Sequence, residues 1–114
     1  MTIHKSRHIK IKSLTIGNDL PFALIAGPCQ IESRDHAFDM AGALKEIADR
    51  LSLPLIYKSS YDKANRTSIK AARGIGMEKG LQILSDVRQK TGCPVLTDVH
   101  TAEQCAEVAE AVDV

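Results

Sequence analysis

The chain has 114 residues, 44% of them hydrophobic and 25% charged, with a formal net charge of +1. That length suits one modest domain with a real core, and the composition argues against both disorder and a membrane span. The near-neutral charge and an aromatic content of 4% without tryptophan exclude a broad nucleic-acid surface and a base-stacking platform.

No apolar run reaches membrane-spanning length. Residues 1–12 are basic but lack the apolar stretch of a signal peptide. Cys29, Cys93 and Cys105 are an odd set without zinc-type pairing. With no export signal, reduced thiols in a cytoplasm are expected.

Residues 9–16 alternate as a small hairpin would, and Gly17-Asn18-Asp19 breaks them off. Phe22-Ala23-Leu24-Ile25-Ala26, bounded by Pro21 and Gly27-Pro28, reads as a strand buried on both faces. Ser33 is placed to cap a helix, with Asp35 in its first turn. Ala37, Met40, Ala41, Leu44, Ile47, Ala48 and Leu51 follow at helical spacing and predict one stripe facing a core.

Pro54-Leu55-Ile56-Tyr57-Lys58 reads as a second strand. The polar stretch 59–76 is long for a connection, and such loops are often functional. A second helix is predicted over 78–90, with Leu81, Leu84 and Val87 inward and Gly92 as its stop. Pro94-Val95-Leu96-Thr97-Asp98 is a third strand. Thr101-Ala102-Glu103-Gln104 has capping-box form, opening a third helix through Cys105, Val108, Ala109 and Val112. Asp113-Val114 reads as the lead-in to a fourth strand. Strands alternating with helices mean a parallel sheet with covering helices. The chain is expected to be a single incomplete α/β domain over residues 1–114, with an unpaired sheet edge.

In parallel α/β folds, ligand groups gather where strands end. The first strand delivers Cys29, Glu32 and Ser33; the second Lys58, Ser59 and Ser60; the third Asp98 and His100. The loop after the second strand adds Lys63, Asn65, Arg66, Thr67, Ser68, Lys70 and Arg73. Cations with hydroxyls at a strand tip suit a multiply charged anion such as phosphate, although a solvated basic loop has the same composition. Lys58 fits a Schiff-base lysine, a permanently charged anion clamp, or a lysine reaching for water. Cys29 fits a metal ligand, a nucleophile or, the favoured reading from the residues, a buried small hydrophobe. Asp98 and His100 could join a metal or acid–base set, or else cap a neighbour and sit exposed. Glu32 could orient the first loop or simply favour the helix start. Cys93 and Cys105 read as structural.

Ile25-Ala26-Gly27-Pro28-Cys29 with Ile31-Glu32-Ser33, the stretch 58–66 reading Lys-Ser-Ser-Tyr-Asp-Lys-Ala-Asn-Arg, Arg73-Gly74 with Gly76, and Thr97-Asp98-Val99-His100 occur in one order. Together they resemble the N-terminal part of the 3-deoxy-D-manno-octulosonate-8-phosphate synthases, phosphoenolpyruvate-condensing (β/α)₈-barrel enzymes. The resemblance covers nearly the whole chain. It implies a partial TIM barrel: an N-terminal hairpin followed by about three βα units, against about 250 residues for a complete barrel. The related heptulosonate-phosphate synthases share the Gly-Pro-Cys opening but carry Lys-Pro-Arg-Thr-Ser and Thr-Glu-Val. The pattern here favours arabinose 5-phosphate over erythrose 4-phosphate as aldehyde.

The resemblance further implies condensation of phosphoenolpyruvate with D-arabinose 5-phosphate, in the biosynthesis of the KDO sugar of lipopolysaccharide. No Schiff base is required, so Lys58 becomes an electrostatic group. Lys58 and Lys63 would hold phosphoenolpyruvate, with Ser60 also binding substrate. Asn65 would contact the sugar, Arg66 and the Thr67 hydroxyl its phosphate, and Asp98 would stand on the active-site rim. Many relatives have Ser at the position of Thr67. A cysteine at position 29 marks the metal-dependent members, so Cys29 would bind Zn²⁺, Fe²⁺ or Mn²⁺, with His, Glu and Asp ligands on later strands. A tetramer is implied for the complete enzyme. A chain of this length is expected to be inactive alone. A second possibility is a non-catalytic fragment that binds a partner through its open sheet edge.

Overall fold

The computed structural model describes residues 5–62 and 75–114. Two short strands, β1 (Ile9–Ile11) and β2 (Leu14–Ile16), pair antiparallel as a hairpin. It falls inside the predicted segment. Its turn is made at Lys12 and Ser13, with Lys12 at φ 54°, a left-handed position that no glycine or asparagine signals here.

Three parallel strands follow, β3 (Leu24–Ala26), β4 (Leu55–Lys58) and β5 (Val95–Leu96), in the spatial order β3-β4-β5. Helices α1 (Arg34–Arg50), α2 (Met77–Thr91) and α3 (Cys105–Ala111) alternate with them, the last entered through a 3₁₀ turn at Ala102–Gln104. The α/β class read from the alternation is the one adopted. The backbone at 113–114 adds to the far side of β5: Asp113 N–H donates to Val95 O at 2.9 Å and Thr97 N–H to Val114 O at 3.3 Å. The lead-in to a further strand is therefore formed.

The helix ends follow their local chemistry. Ser33 Oγ accepts from His36 N–H at 3.1 Å, satisfying one donor left free at the start of α1. Gly92 ends α2 at φ 73°, the left-handed geometry that glycine adopts at no steric cost.

The core lies between one face of the sheet and the helices. Tyr57 and Val95 pack with Ala37, Ala41, Ile83, Leu84, Val87 and Val108, while Leu24, Ala26 and Leu55 pack with Ala48 and Cys93. An ion pair between Arg34 and Asp86, and Lys90 Nζ 4.4 Å from the centroid of the Phe38 ring, tie α1 to α2.

Two expectations about burial need correction. The first strand is not buried on both faces: Ile25 is 55% exposed and Phe22 66%. β3 is an edge strand among the described residues, and its Ile25 face has no cover; the register partner Ile56, on the central strand, is buried. The α1 stripe is also shorter than predicted. Ala37, Ala41 and Ala48 are buried, and Met40 and Leu44 half-buried, but Ile47 and Leu51 are exposed. Ile47 precedes Ala48, which packs on Leu55 of β4, but projects from another side of the helix; Leu51 is the residue that follows the last turn of α1.

Candidate active site at the carboxyl ends of the strands

β4 ends in Lys58, and alternation then sends Ser59 and Ser60 to opposite faces. Ser59 is fully buried, and its hydroxyl donates to Pro28 O at 2.6 Å. Thr97 Oγ1 donates to Ser59 O at 2.8 Å. These bonds stitch the ends of all the parallel strands together below the rim. Counting Ser59 among the anion-binding hydroxyls is therefore corrected, because its hydroxyl turns into the protein and is already committed.

Ser60 takes the other direction. Lys58 Nζ donates to Ser60 Oγ at 3.3 Å, and the Ser60 hydroxyl donates to Asp98 Oδ1. Lys58 Nζ stands 3.7 Å from the same carboxylate oxygen. Both charged side chains keep about a third of their surface in water (32% and 41%), so the pair is weak enough to admit an anion between its partners and the solvent. The charge of Lys58 is held at a defined place by one hydroxyl and one carboxylate from the neighbouring strand tip.

The loop after β3 runs beside the same rim. Ser60 N–H donates to Cys29 O at 3.1 Å, Ile31 N–H donates to Ser60 O at 2.9 Å, and Gln30 forms a parallel bridge with Ser60. Cys29 is exposed. The buried-hydrophobe reading fails because the residue lies past the last core-facing position of β3. Cys105 is likewise exposed, at the start of α3, whereas Cys93 is buried. Glu32 is exposed, with Oε2 3.8 Å from His36 Nδ1 across one turn of α1. Among the described residues no group of three or more His, Cys, Asp or Glu side chains could hold a metal ion. Cys29 does not make a metal centre with them.

Past β5, His100 Nε2 lies 2.8 Å from Asp62 O and 3.6 Å from Asp98 Oδ2. A carbonyl oxygen only accepts, so Nε2 carries the ring proton. Tyr61 is buried; its hydroxyl donates to Gln104 Oε1 at 2.8 Å, and its ring lies 6.4 Å from that of His100. Burial, and then the nearby Asp98 and Asp62 carboxylates, hold the Tyr61 phenol above its ordinary pKa, so it stays a donor at neutral pH.

Lys58, Ser60 and Asp98, singled out in the sequence, thus meet. Lys63, Asn65, Arg66 and Thr67, with Ser68, Lys70 and Arg73, lie outside the described residues. Tyr61 and Gln104 were not read as site residues. Gln104 carried a signal, its place in a capping box, but that pointed only to a helix start. In the structure Gln104 Oε1 does reach back to Thr101 N–H, at 3.4 Å.

Fold and rim together define an α/β protein that gathers charged and hydrogen-bonding side chains at the carboxyl ends of parallel strands, where such folds place ligand sites. The chain belongs to the DAHP synthetase I family, whose model matches residues 3–114. It is 63% identical over 106 residues to the 2-dehydro-3-deoxyphosphooctonate aldolases of Brucella ovis, Brucella abortus and Brucella melitensis. Each match covers 93% of this chain and 38% of the relative. The chain therefore spans well under half the length of these curated relatives.

Proposed function

We propose that the chain carries part of the site that condenses phosphoenolpyruvate with D-arabinose 5-phosphate, giving 3-deoxy-D-manno-octulosonate 8-phosphate and phosphate on the route to the KDO of lipopolysaccharide. C3 of phosphoenolpyruvate forms a bond to the aldehyde carbon. Water adds at C2, the bond from C2 to the phosphate oxygen breaks, and phosphate leaves. The names of the relatives support this reading. The observation that carries it is Lys58 Nζ held 3.3 Å from Ser60 Oγ and 3.7 Å from Asp98 Oδ1 at adjacent strand tips.

In this reading Lys58 faces the carboxylate and phosphate of phosphoenolpyruvate and stabilises charge that develops there. Ser60 and Asp98 orient its ammonium group. Lys63 joins it, Asn65 meets the sugar, and Arg66 and Thr67 hold the sugar phosphate. The sheet is an arc of a (β/α)₈ barrel. Its strands are neighbours in chain order and its core helices share one face, whereas a doubly wound sheet has helices on both. Cys29, exposed beside the rim, would be one ligand of a divalent metal, the others coming from outside the described residues. A bound metal would supply Lewis-acid polarisation. We place the reaction in a cytoplasm, in keeping with three free thiols, and in a tetramer.

The test supplies the remaining segment of a Brucella relative in trans and measures phosphate released from phosphoenolpyruvate. Release that depends on arabinose 5-phosphate, is not supported by erythrose 4-phosphate, and falls at least 100-fold in Lys58→Met is the expected result. Equal turnover by Lys58→Met would remove Lys58 from the site.

The exposed edge of β3, with Ile25 and Phe22, favours a second reading, a non-catalytic fragment that docks a partner strand. Size-exclusion chromatography of the same mixture separates the two. A stable complex without turnover supports docking alone.

A further inference from the structure

We propose that Gln104 is a positioning residue for His100, acting as a clamp between the loop after β4 and the loop after β5. Its Oε1 lies 2.8 Å from Tyr61 Oη, 2.8 Å from His100 N and 3.4 Å from Thr101 N. All three partners are donors, so the side-chain amide has one permitted orientation, oxygen inward. Tyr61 belongs to the β4 loop; His100 and Thr101 belong to the β5 loop. One oxygen atom therefore joins the two. A second tie runs the other way, with His100 Nε2–H donating to Asp62 O at 2.8 Å.

The consequence lies in the imidazole. The backbone of His100 is held by Gln104, its ring edge by Asp62 O, and its ring lies beside that of Tyr61, tilted at 56°. These contacts fix the ring N–H on Asp62 O and leave Nε2 3.6 Å from Asp98 Oδ2, and Asp98 is the group that also faces Lys58. Gln104 itself touches neither Lys58 nor Asp98 by any hydrogen bond among the described residues. Its effect on the rim passes through His100.

This inference rests on the reading of Asp98 and His100 as part of the active-site rim, and the experiment separates the two. Nuclear magnetic resonance of the chain reads the His100 ring N–H signal, the Tyr61–His100 ring Overhauser contact and amide exchange at His100. Gln104→Met, which keeps length but loses the acceptor, is expected to erase the first two and speed the third about tenfold. Gln104→Glu, which keeps the acceptor, restores all three. A role in helix stability alone would lower the melting temperature in Gln104→Met yet leave the ring signals in place, and that result overturns the proposal. Should Gln104→Met fail to fold, Tyr61→Phe removes one donor and is expected to speed ring N–H exchange about threefold; no change there overturns it equally. Phosphoenolpyruvate is then titrated into the chain assembled with the remaining segment of a Brucella relative, while the same His100 resonance is followed. If the resonance ignores phosphoenolpyruvate but answers to Gln104→Met, the clamp stands and the active-site reading falls. If it answers to phosphoenolpyruvate but not to Gln104→Met, the clamp falls and the active-site reading stands.

Discussion

Gly27 lies so close to the Lys58 backbone that a side chain on it would overlap the Lys58 carbonyl oxygen. The glycine is thus a condition for closing β3 onto β4 at the level of the site. Beyond it the loops stay in register, with Ser60 N–H bonded to Cys29 O. Gly27→Ala must push the two strand ends apart. A loss of about 2–3 kcal/mol, the upper range for overpacking, is expected in urea unfolding of the chain. A loss under about 0.5 kcal/mol would show that the ends separate freely.

Ser60 is the hinge between the charges of Lys58 and Asp98. Ser60→Ala removes both bonds while keeping volume. Affinity of the assembled protein for phosphoenolpyruvate is expected to fall about 3- to 10-fold, the worth of one net hydrogen bond. Isothermal titration calorimetry measures it, and unchanged affinity would mean that Lys58 needs no orienting hydroxyl.

Asp113 collects contacts from three elements at the opposite end of the strands. Its carboxylate accepts from Val95 N–H at 3.0 Å, lies 3.6 Å from Arg88 of α2, and lies 3.8 Å from Lys12 of the hairpin. Asp113→Ala leaves a mostly buried Arg88 without its carboxylate, held by its 3.4 Å bond to Glu110 O. It should cost about 2–3 kcal/mol, with faster amide exchange across β1 and β2. Asp113→Asn keeps the bond to Val95 and should cost about half as much. If the hairpin amides do not respond to Asp113→Ala, Lys12–Asp113 does not anchor the hairpin.

The Tyr57 phenol sits in the core between sheet and helices. Burial pushes its pKa up to about 12 from 10.0, with the Ser59 hydroxyl opposing slightly. Ser59 gives its own proton to Pro28 O, and the Tyr57 hydroxyl makes no hydrogen bond among the described residues. Between pH 10 and 12 the unfolded chain loses this proton before the folded one, so the folded state holds more protons. Stability is fully present below about 10 and is lost as pH rises toward about 12. Tyr57→Phe should flatten that decline by about 1–2 kcal/mol and cost little near neutrality. Parallel declines for both proteins in urea unfolding from pH 9 to 12 would assign the slope to other groups.

Much of the architecture could be read locally. Ser33 at the start of α1, Gly92 past the end of α2 and the apolar spacing of Leu81, Leu84 and Val87 act within a few residues of themselves, and short-range geometry decides them. The same holds for the placing of Lys58, Ser60 and Asp98 at strand ends, since strand length and polarity mark where each strand stops. Exposure was less legible. Whether Ile25, Ile47 or Leu51 is covered depends on what packs opposite, which periodicity along one element does not contain.

By itself, then, the sequence determined the order of strands and helices, their caps and the set of polar groups at the strand tips, because backbone preferences and alternation are properties of neighbours in the chain. Only the tertiary structure decided which of those groups meet. It turned Ser59 inward and Ser60 toward Asp98, and it brought Tyr61 to Gln104 across 43 positions. The reason is that a hydrogen bond between separate strand tips is set by the register of the parallel sheet and the close approach at Gly27. Both arise only when distant segments are packed together.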